Sequence, residues 1–341
     1  MKPNLSCAAR AAFLAFAVVP AALPAQGAGL DVARKDVQQF IAKLHKEHDF
    51  DAQELVWILR DAEPQLRIVE IMERPAEAAM PWHQYRARFL TDERINGGVA
   101  VWQQHRDTLA AIERDSGVPA QYLVAITGVE TFYGRQTGGY RVLDALATLA
   151  FEYPRRAEYF RGELTQFLLL AREERINPRT PKGSYAGAMG IPQFMPSSFR
   201  RYAVDGSGDG HRDLWSYGAD VFGSVAHYLK EHGWRAGEPV LSNASNAMPP
   251  DDPARAEAKL ADTVESLRNR GYRFDTTLAD KAPAMLVPAL LEDGQSWRVG
   301  FQNFYVITRY NRSFLYAMAV NDLADAIAAR YKTTQTVAQG Q

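Results

Sequence analysis

Cysteine, net charge and long apolar runs are all scarce in this chain. Its 341 residues contain one cysteine, Cys7, which lies before the first apolar run. Without the N-terminal segment the protein has no thiol, which excludes disulfides, thiolate metal sites and cysteine nucleophiles. Lys and Arg total 39 and Asp and Glu total 40. This balance gives no reason to expect a nucleic-acid partner, whose phosphates favour a basic face.

The N-terminus has the pattern of a secretory signal over residues 1–25. Lys2 and Arg10 supply positive charge, and the apolar run 11–23 is too short to span a membrane. Ala25 or Ala28 would end the cleavage site, and a disordered apolar tail is the alternative. Cys7 precedes the run, which is the wrong place for a lipid anchor. The pattern predicts a soluble periplasmic protein with no stable membrane anchor.

The rest of the chain reads as mainly α (α+β), with 47% hydrophobic residues to form a core. Apolar spacing predicts helices through residues 30–115, and residues 237–253 look like a linker. Short strands are expected at 286–291, 297–301 and 304–307, and a last helix at 315–331. The polar tail 332–341 is predicted to be disordered.

Glu130 ends an apolar stripe at helical spacing. Tyr122, Leu123, Ile126, Val129 and Glu130 share one helix face. Burial and the negative end of the helix dipole both disfavour a carboxylate there, so the pattern favours an acid that keeps its proton near neutral pH. Such a group can protonate a leaving group. The alternative is an ordinary solvated or salt-bridged glutamate.

Four separated segments then occur in a recognisable order, at 130–134, 153–160, 187–197 and 303–311. Together they resemble the membrane-bound lytic murein transglycosylase B family, which cleaves peptidoglycan strands, and the chain looks like a soluble member. The resemblance covers residues 30–331. It implies a lysozyme-like helical core at about 107–236, completed by a C-terminal helix at 309–331. It also implies an additional helical lobe and a small β-containing lobe at about 283–308.

The resemblance implies that Glu130 is the catalytic acid, and that the same residue then acts as base. Cleavage of the MurNAc–GlcNAc β-1,4 bond would leave a 1,6-anhydromuramyl end. The family motif supplies no second carboxylate of the kind that glycoside hydrolases normally use. Glu152, Glu158 and Glu163 are interpreted as structural residues, close enough to Arg155 and Arg156 to pair with them.

The resemblance also implies which side chains bind the sugar. Each group has an alternative interpretation. Tyr310 and Tyr316 would be core aromatics with solvated hydroxyls, and Arg155 and Arg156 would be a solvated basic pair. The 187–197 segment would be a rigid turn without a ligand. The predicted substrate-binding residues are Ser184, Gln193, Arg155, Arg156, Tyr310, Asn311 and Tyr316.

Residues 205–213 have EF-hand-like spacing for a hard cation. Oxygen-bearing side chains stand at loop positions 1, 3, 5 and 9, and a glycine at position 6. Position 12 is Ser216 where Glu is expected, so Asp220 is the candidate closing carboxylate. An Asx- and Gly-rich turn without an ion is the alternative. The predicted ligands of a structural Ca²⁺ or Na⁺ are Asp205, Ser207, Asp209, His211 (through its carbonyl) and Asp220.

The chain is therefore expected to be a peptidoglycan lytic transglycosylase that needs no cofactor for its chemistry. Its partners would be glycan strands and cell-wall synthesis proteins. Three alternatives stay open: a muramidase that admits water, a non-catalytic glycan-binding scaffold, and a calcium-binding structural protein.

Overall fold

The computed structural model describes residues 29–73, 80–246 and 258–339. The predicted signal segment and Cys7 lie outside these ranges. The first helical lobe begins the described chain. Its second helix starts at Asp51, whose carboxylate accepts the backbone N–H of Glu54 at 2.8 Å, as the capping pattern predicts. The lobe contains α1 (Lys35–His48), α2 (Ala52–Arg60), α3 (Leu66–Glu73) and α4 (Trp82–Phe89).

The helical core follows and is completed by the C-terminal helices. Two short strands, β1 (Tyr140–Arg141) and β2 (Lys182–Gly183), pair antiparallel within it. Its helices are α5 (Asp92–Gln104), α6 (Arg106–Ser116), α7 (Ala120–Thr131), α8 (Val142–Phe151), α9 (Ala157–Glu173), α10 (Pro196–Tyr202) and α11 (Ala219–Glu231), with α13 (Gln302–Tyr310) and α14 (Phe314–Gln339) returning late in the chain.

Helix α7 lies at the centre of this core. Residues 122–128 are all buried, so the helix is covered on every side and not along one stripe only. Helices α5, α6, α11 and α14 pack against it. Val129 and Glu130 regain partial exposure at its C-terminal end. Burial of the shaft with an accessible end makes α7 a rigid support for Glu130.

The β-containing lobe is a five-stranded antiparallel sheet with strand order β4-β6-β7-β3-β5. It has a small apolar core of its own, which includes Leu267, Tyr272 and Phe301. Its elements are β3 (Leu241–Asn246), β4 (Asp262–Thr263), α12 (Val264–Asn269), β5 (Tyr272–Arg273), β6 (Pro283–Leu291) and β7 (Gly294–Gly300).

The side chain of Asn303 links the segment that enters the β-containing lobe to the segment that leaves it. Its amide oxygen accepts the N–H of Arg235 at 2.8 Å, and its nitrogen donates to the carbonyls of Arg235 and Glu238 at 2.8 and 2.9 Å. Phe301 N–H also donates to the carbonyl of Val240 at 3.1 Å. The segments that enter and leave the β-containing lobe therefore lie side by side.

Three local predictions were wrong. Residues 304–307, predicted as a strand, lie in α13, because four apolar residues fit either a strand or a buried helix. The predicted linker 237–253 contains β3, so the sheet begins near 241 and not near 283. The tail 332–341 is helical as far as Gln339, because an existing helix extends without a new nucleation cost. No helix among the described residues is long and apolar enough to cross a membrane.

Candidate active site

The carboxyl group of Glu130 is hydrogen-bonded to a tyrosine from the other end of the chain. Tyr316 donates its hydroxyl to Oε1 of Glu130 at 2.6 Å. Burial raises the pKa of Glu130 to about 7, and the Tyr316 hydrogen bond opposes this shift. No second carboxylate among the described residues contributes to it. Glu130 can therefore exist as acid or carboxylate near neutral pH, which suits a group that gives and then recovers a proton.

Two parallel tyrosine rings stand beside Glu130. The rings of Tyr310 and Tyr316 are 6.4 Å apart with an 11° interplanar angle. Tyr310 donates its hydroxyl to the carbonyl of Pro192 at 2.6 Å, so neither hydroxyl is merely solvated. Burial, then the charge of Glu130, raises the pKa of both tyrosines well above 10. Both remain neutral hydrogen-bond donors at physiological pH.

The chain turns sharply just after Glu130. Phe132 and Tyr133 are consecutive non-glycine residues in the left-handed region, with φ of 49° and 58°. Such conformations cost about 1–3 kcal/mol each and persist where the surroundings enforce them. Thr131 donates its hydroxyl to the carbonyl of Ile191 at 3.0 Å and accepts the N–H of Gly134 at 3.0 Å. The end of α7 is thereby tied to the 187–196 loop.

The side chains of Ser184 and Gln193 hold this same loop in place. Ser184 Oγ accepts the N–H groups of Ala186 and Ala188 at 3.2 and 3.0 Å. Gln193, at φ 53°, donates its amide nitrogen to the carbonyls of Thr137 and Gly190 at 3.1 and 2.9 Å. The amide oxygen of Gln193 has no donor among the described residues. It is the part of this side chain that remains available to a ligand.

The sequence matches the transglycosylase SLT domain family over residues 33–325. It is 44% identical over 302 residues to membrane-bound lytic murein transglycosylase B of Escherichia coli K12, covering 86% of this chain and 82% of that protein.

The chain belongs to the transglycosylase SLT family.

Solved structures of family members agree with this assignment. Pseudomonas aeruginosa SltB1 superposes with a TM-score of 0.84 at 46% identity, covering 87% of this chain and 98% of that one. Escherichia coli Slt35 in complex with calcium gives 0.82 at 42% identity, covering 89% and 96%. P. aeruginosa SltB3 in complex with NAG-NAM-pentapeptide gives 0.74 at 31% identity, covering 86% and 78%. The predicted lysozyme-like fold and lytic murein transglycosylase activity are confirmed.

Three of the predicted substrate-binding residues of this transglycosylase stand outside the hydrogen-bonded group around Glu130. Asn311 is exposed, and its amide oxygen accepts the N–H of Ser313 at 3.2 Å. Arg155 and Arg156 lie on the exposed 3-10 turn between α8 and α9. The guanidinium of Arg156 lies 4.4 Å from the centre of the Tyr159 ring. None of the three shares a hydrogen bond with Glu130, Tyr310 or Tyr316 in the described part of the chain.

The other glutamates of the core are structural, although their partners differ from the predicted arginines. Glu152 is paired with Arg34 of α1. Glu163 is buried and accepts the N–H and the hydroxyl of Ser197 at 2.9 and 2.7 Å, which caps α10. Ion pairing and capping give both carboxylates structural partners.

Asp220, the candidate closing carboxylate of the EF-hand-like loop, bonds to the backbone of that loop. Asp220 is 4% exposed and accepts the N–H groups of Ser207 and Asp213, each at 2.8 Å. Asp205 accepts three backbone N–H groups and the hydroxyl of Ser207. No three His, Cys, Asp or Glu side chains form a metal-binding cluster within the described ranges. The donors nevertheless match a hard cation in kind, because calcium also accepts hydroxyl and backbone oxygens.

Two residues near Glu130 have no counterpart in the sequence-based prediction. Tyr85 of α4 lies near enough to Tyr316 to contribute to its raised pKa. Arg94 of α5 donates to the carbonyl of Gly128 within α7. Each is more than 30 positions from Glu130 in the chain, and neither stands in a motif, so local patterns give no signal for them.

Proposed function

We propose that Glu130 carries out both proton transfers of the lytic reaction. As an acid it protonates the oxygen that links MurNAc to GlcNAc, and the bond from that oxygen to the anomeric carbon breaks. The 2-acetamido group of the muramyl residue stabilises the cationic centre. The Glu130 carboxylate then takes the proton of the muramyl 6-hydroxyl, whose oxygen bonds to the anomeric carbon. The products are a GlcNAc 4-hydroxyl and a 1,6-anhydromuramyl end, and no water is consumed.

The observation that carries this proposal is the environment of one carboxyl group. Glu130 has a pKa of about 7, a single side-chain hydrogen bond, and no carboxylate partner among the described residues. A hydrolase of the two-carboxylate type needs a second acid within about 5–10 Å to act as nucleophile or to activate water. A single group that alternates between its two protonation states fits the intramolecular route.

We assign substrate-binding roles to residues around this carboxyl group and to the three exposed residues outside its hydrogen-bonded group. The free oxygen of Gln193 and the exposed amide of Asn311 offer hydrogen bonds to acetamido groups. Ser184 holds the loop that carries Gln193, and Tyr316 orients Glu130. Tyr310 borders the same space. Arg155 and Arg156 have the charge to meet the carboxylates of a stem peptide, and SltB3 is a relative that binds a pentapeptide-bearing disaccharide.

The mass of the muramyl ends tests the reaction type. Digestion of purified sacculi by this enzyme should give muropeptides that are one water lighter than those made by a muramidase. The same sacculi digested with lysozyme supply the hydrolytic control. Predominantly reducing ends would reject the intramolecular route and favour the muramidase alternative.

We also propose that the 205–220 loop binds calcium as a structural ion. Asp205, Ser207, Asp209, the carbonyl of His211 and Asp220 are the ligands, and Slt35 is a relative whose structure contains calcium. Asp220 joins two parts of the loop through backbone hydrogen bonds, so an ion there would stabilise the connection between α10 and α11.

Calcium is expected to raise the melting temperature without being needed for cleavage. At 100 times its Kd, an ion that binds only the folded state adds about 2.7 kcal/mol, or roughly 4 °C for about 300 folded residues. Thermal unfolding with EDTA and with excess calcium measures the shift. Asp205→Asn should abolish the response, whereas Asp275→Asn in an exposed loop of the β-containing lobe should retain it. An unchanged melting temperature in wild type would leave the loop as a turn without an ion.

We propose that the enzyme acts in the periplasm after removal of residues 1–25. Its substrate lies there, and the N-terminal pattern fits export. Cell-wall synthesis proteins remain its predicted partners.

A further inference from the structure

We propose that Arg94 is a positioning residue for Glu130, which it acts on by holding the end of α7 from both sides of that residue. The inference depends on the proposed role of Glu130 as the acid and base. No hydrogen bond joins Arg94 to the carboxyl group. Its contacts with this part of the chain are to Gly128, Phe132 and Tyr133, so they bracket Glu130 along the chain.

Two hydrogen bonds link Arg94 to the last turn of α7 and the residues after it. The guanidinium donates through Nη1 to the carbonyl of Gly128, two residues before Glu130. The backbone carbonyl of Arg94 accepts the hydroxyl of Tyr133 at 2.7 Å, three residues after Glu130. One residue of α5 therefore fixes the chain before and after the catalytic position.

The guanidinium is also held between two aromatic rings. It lies 4.3 Å from the centre of the Phe132 ring and 5.2 Å from that of Phe89. Burial lowers the pKa of Arg94, and the nearby groups of Tyr133 and Glu93 oppose this shift. Its Nε is buried without a hydrogen-bond partner there. Arginine's planar group fits such a stacked site, which an ammonium group does not.

The turn after Glu130 needs this support because of its backbone. Phe132 and Tyr133 both occupy the left-handed region, which is unfavourable for residues with a Cβ because that atom comes close to the following carbonyl oxygen. Glycines at 97, 98 and 128 leave the space for the Tyr133 ring, since a Cβ there would come within 2.9 Å of Tyr133 atoms. The strained turn thus packs into the space left by the three glycines, and the contacts of Arg94 hold it there. We call these contacts the lock.

The chemistry explains why this lock matters more for turnover than for binding. Glu130 must reach two different oxygens of the substrate in succession, and a displacement of about 1 Å in a catalytic group can cost about 100-fold in rate. In the described part of the chain, no hydrogen bond or ring contact joins Arg94 to Gln193, Tyr310 or Asn311, the residues proposed to contact the sugar. Loss of the lock should therefore lower kcat while leaving substrate affinity in place.

Three variants test the proposal on soluble glycan strands of defined length. Arg94→Met keeps the length but removes the donors, and we expect kcat to fall about 100-fold with KM within about twofold. Arg94→Lys keeps charge and one donor and should lie between Met and wild type. Tyr133→Phe removes only the hydroxyl bond and should lower kcat about tenfold. Strand affinity, measured in the Glu130→Gln background, should not change with any of them.

Arg135→Met is the matched control. Its guanidinium lies 4.7 Å from the centre of the same Phe132 ring, but it is paired at the surface with Glu93 and does not bond α7. Its kcat should remain that of wild type.

The proposal is overturned if Arg94→Met lowers the melting temperature while kcat per folded molecule stays within threefold of wild type, or if Kd weakens as much as kcat falls. If Arg94→Met does not fold, Arg94→Lys and Tyr133→Phe decide, since wild-type kcat in both rejects the lock. Glu130→Gln separates the two levels of inference. Should it cut strands normally, the assignment of Glu130 fails; should it be inactive while the Arg94 variants turn over normally, only the positioning role fails.

Discussion

Glu130→Gln is expected to lower strand cleavage by about 10⁴-fold, the upper range for removal of a general acid–base group. Glutamine keeps the shape of the side chain and can accept the Tyr316 hydroxyl, but it cannot release a proton. Release of soluble muropeptides from sacculi measures cleavage, and co-sedimentation with sacculi measures binding, which should persist. A variant that binds and does not cut would also reject the view that the protein is only a scaffold.

Glu158→Gln is the control for that experiment. Glu158 is an exposed glutamate at the start of α9 in one of the family segments, and its replacement should leave cleavage near the wild-type rate. Equal cleavage rates for wild type and Glu130→Gln would show that another residue acts as the acid and base.

Glu130→Gln should also stabilise the protein at alkaline pH. The pKa of Glu130 is about 7 in the folded state against 4.5 for its model value. Between these values the folded state holds a proton that the unfolded state has released, so stability falls as pH rises from 4.5 through 7. The full loss is at most about 3 kcal/mol, from 1.36 kcal/mol per pKa unit. Glutamine does not ionise and escapes this loss.

We therefore expect the melting temperature of Glu130→Gln to exceed that of wild type by about 5 °C at pH 8, from roughly 1.5 °C per kcal/mol for about 300 folded residues. Near pH 4.5 the two proteins should unfold at similar temperatures. Thermal unfolding of both proteins across this range provides the measurement, with Glu158→Gln again as the control. An advantage of the same size at both pH values would show that the carboxyl group is not held in a neutral form by burial.

Part of the group around Glu130 was predictable from a local pattern and from the family resemblance. The apolar spacing before Glu130 places it at a helix end, and the resemblance supplies Tyr310 and Tyr316. The errors arose where local pattern is ambiguous or context decides. The 304–307 run has no period long enough to separate strand from helix. The tail after 331 is helical only because α14 precedes it.

Arg94 illustrates what sequence alone does not reveal. It is one of many arginines, and the exposed residues of its helix are mostly polar. Its importance comes from three contacts with a segment 34 to 39 positions away. Ring stacking and hydrogen bonds to a carbonyl produce no periodic pattern in the sequence, whereas a buried helix face does. Distances between distant parts of the chain were needed to recognise it.

The amide of Asn303 has a consequence for how this enzyme can diversify. Because it holds together the two backbone segments that leave and rejoin the core, the ends of the 241–300 insertion are already adjacent. The insertion is also docked on the core, because Arg298 of β7 pairs with Asp322 of α14 at 2.7 Å. Changes confined to its outer loops are therefore the ones that would leave the proton-transferring centre undisturbed. Such changes would alter how the protein contacts a strand while the reacting groups stay the same.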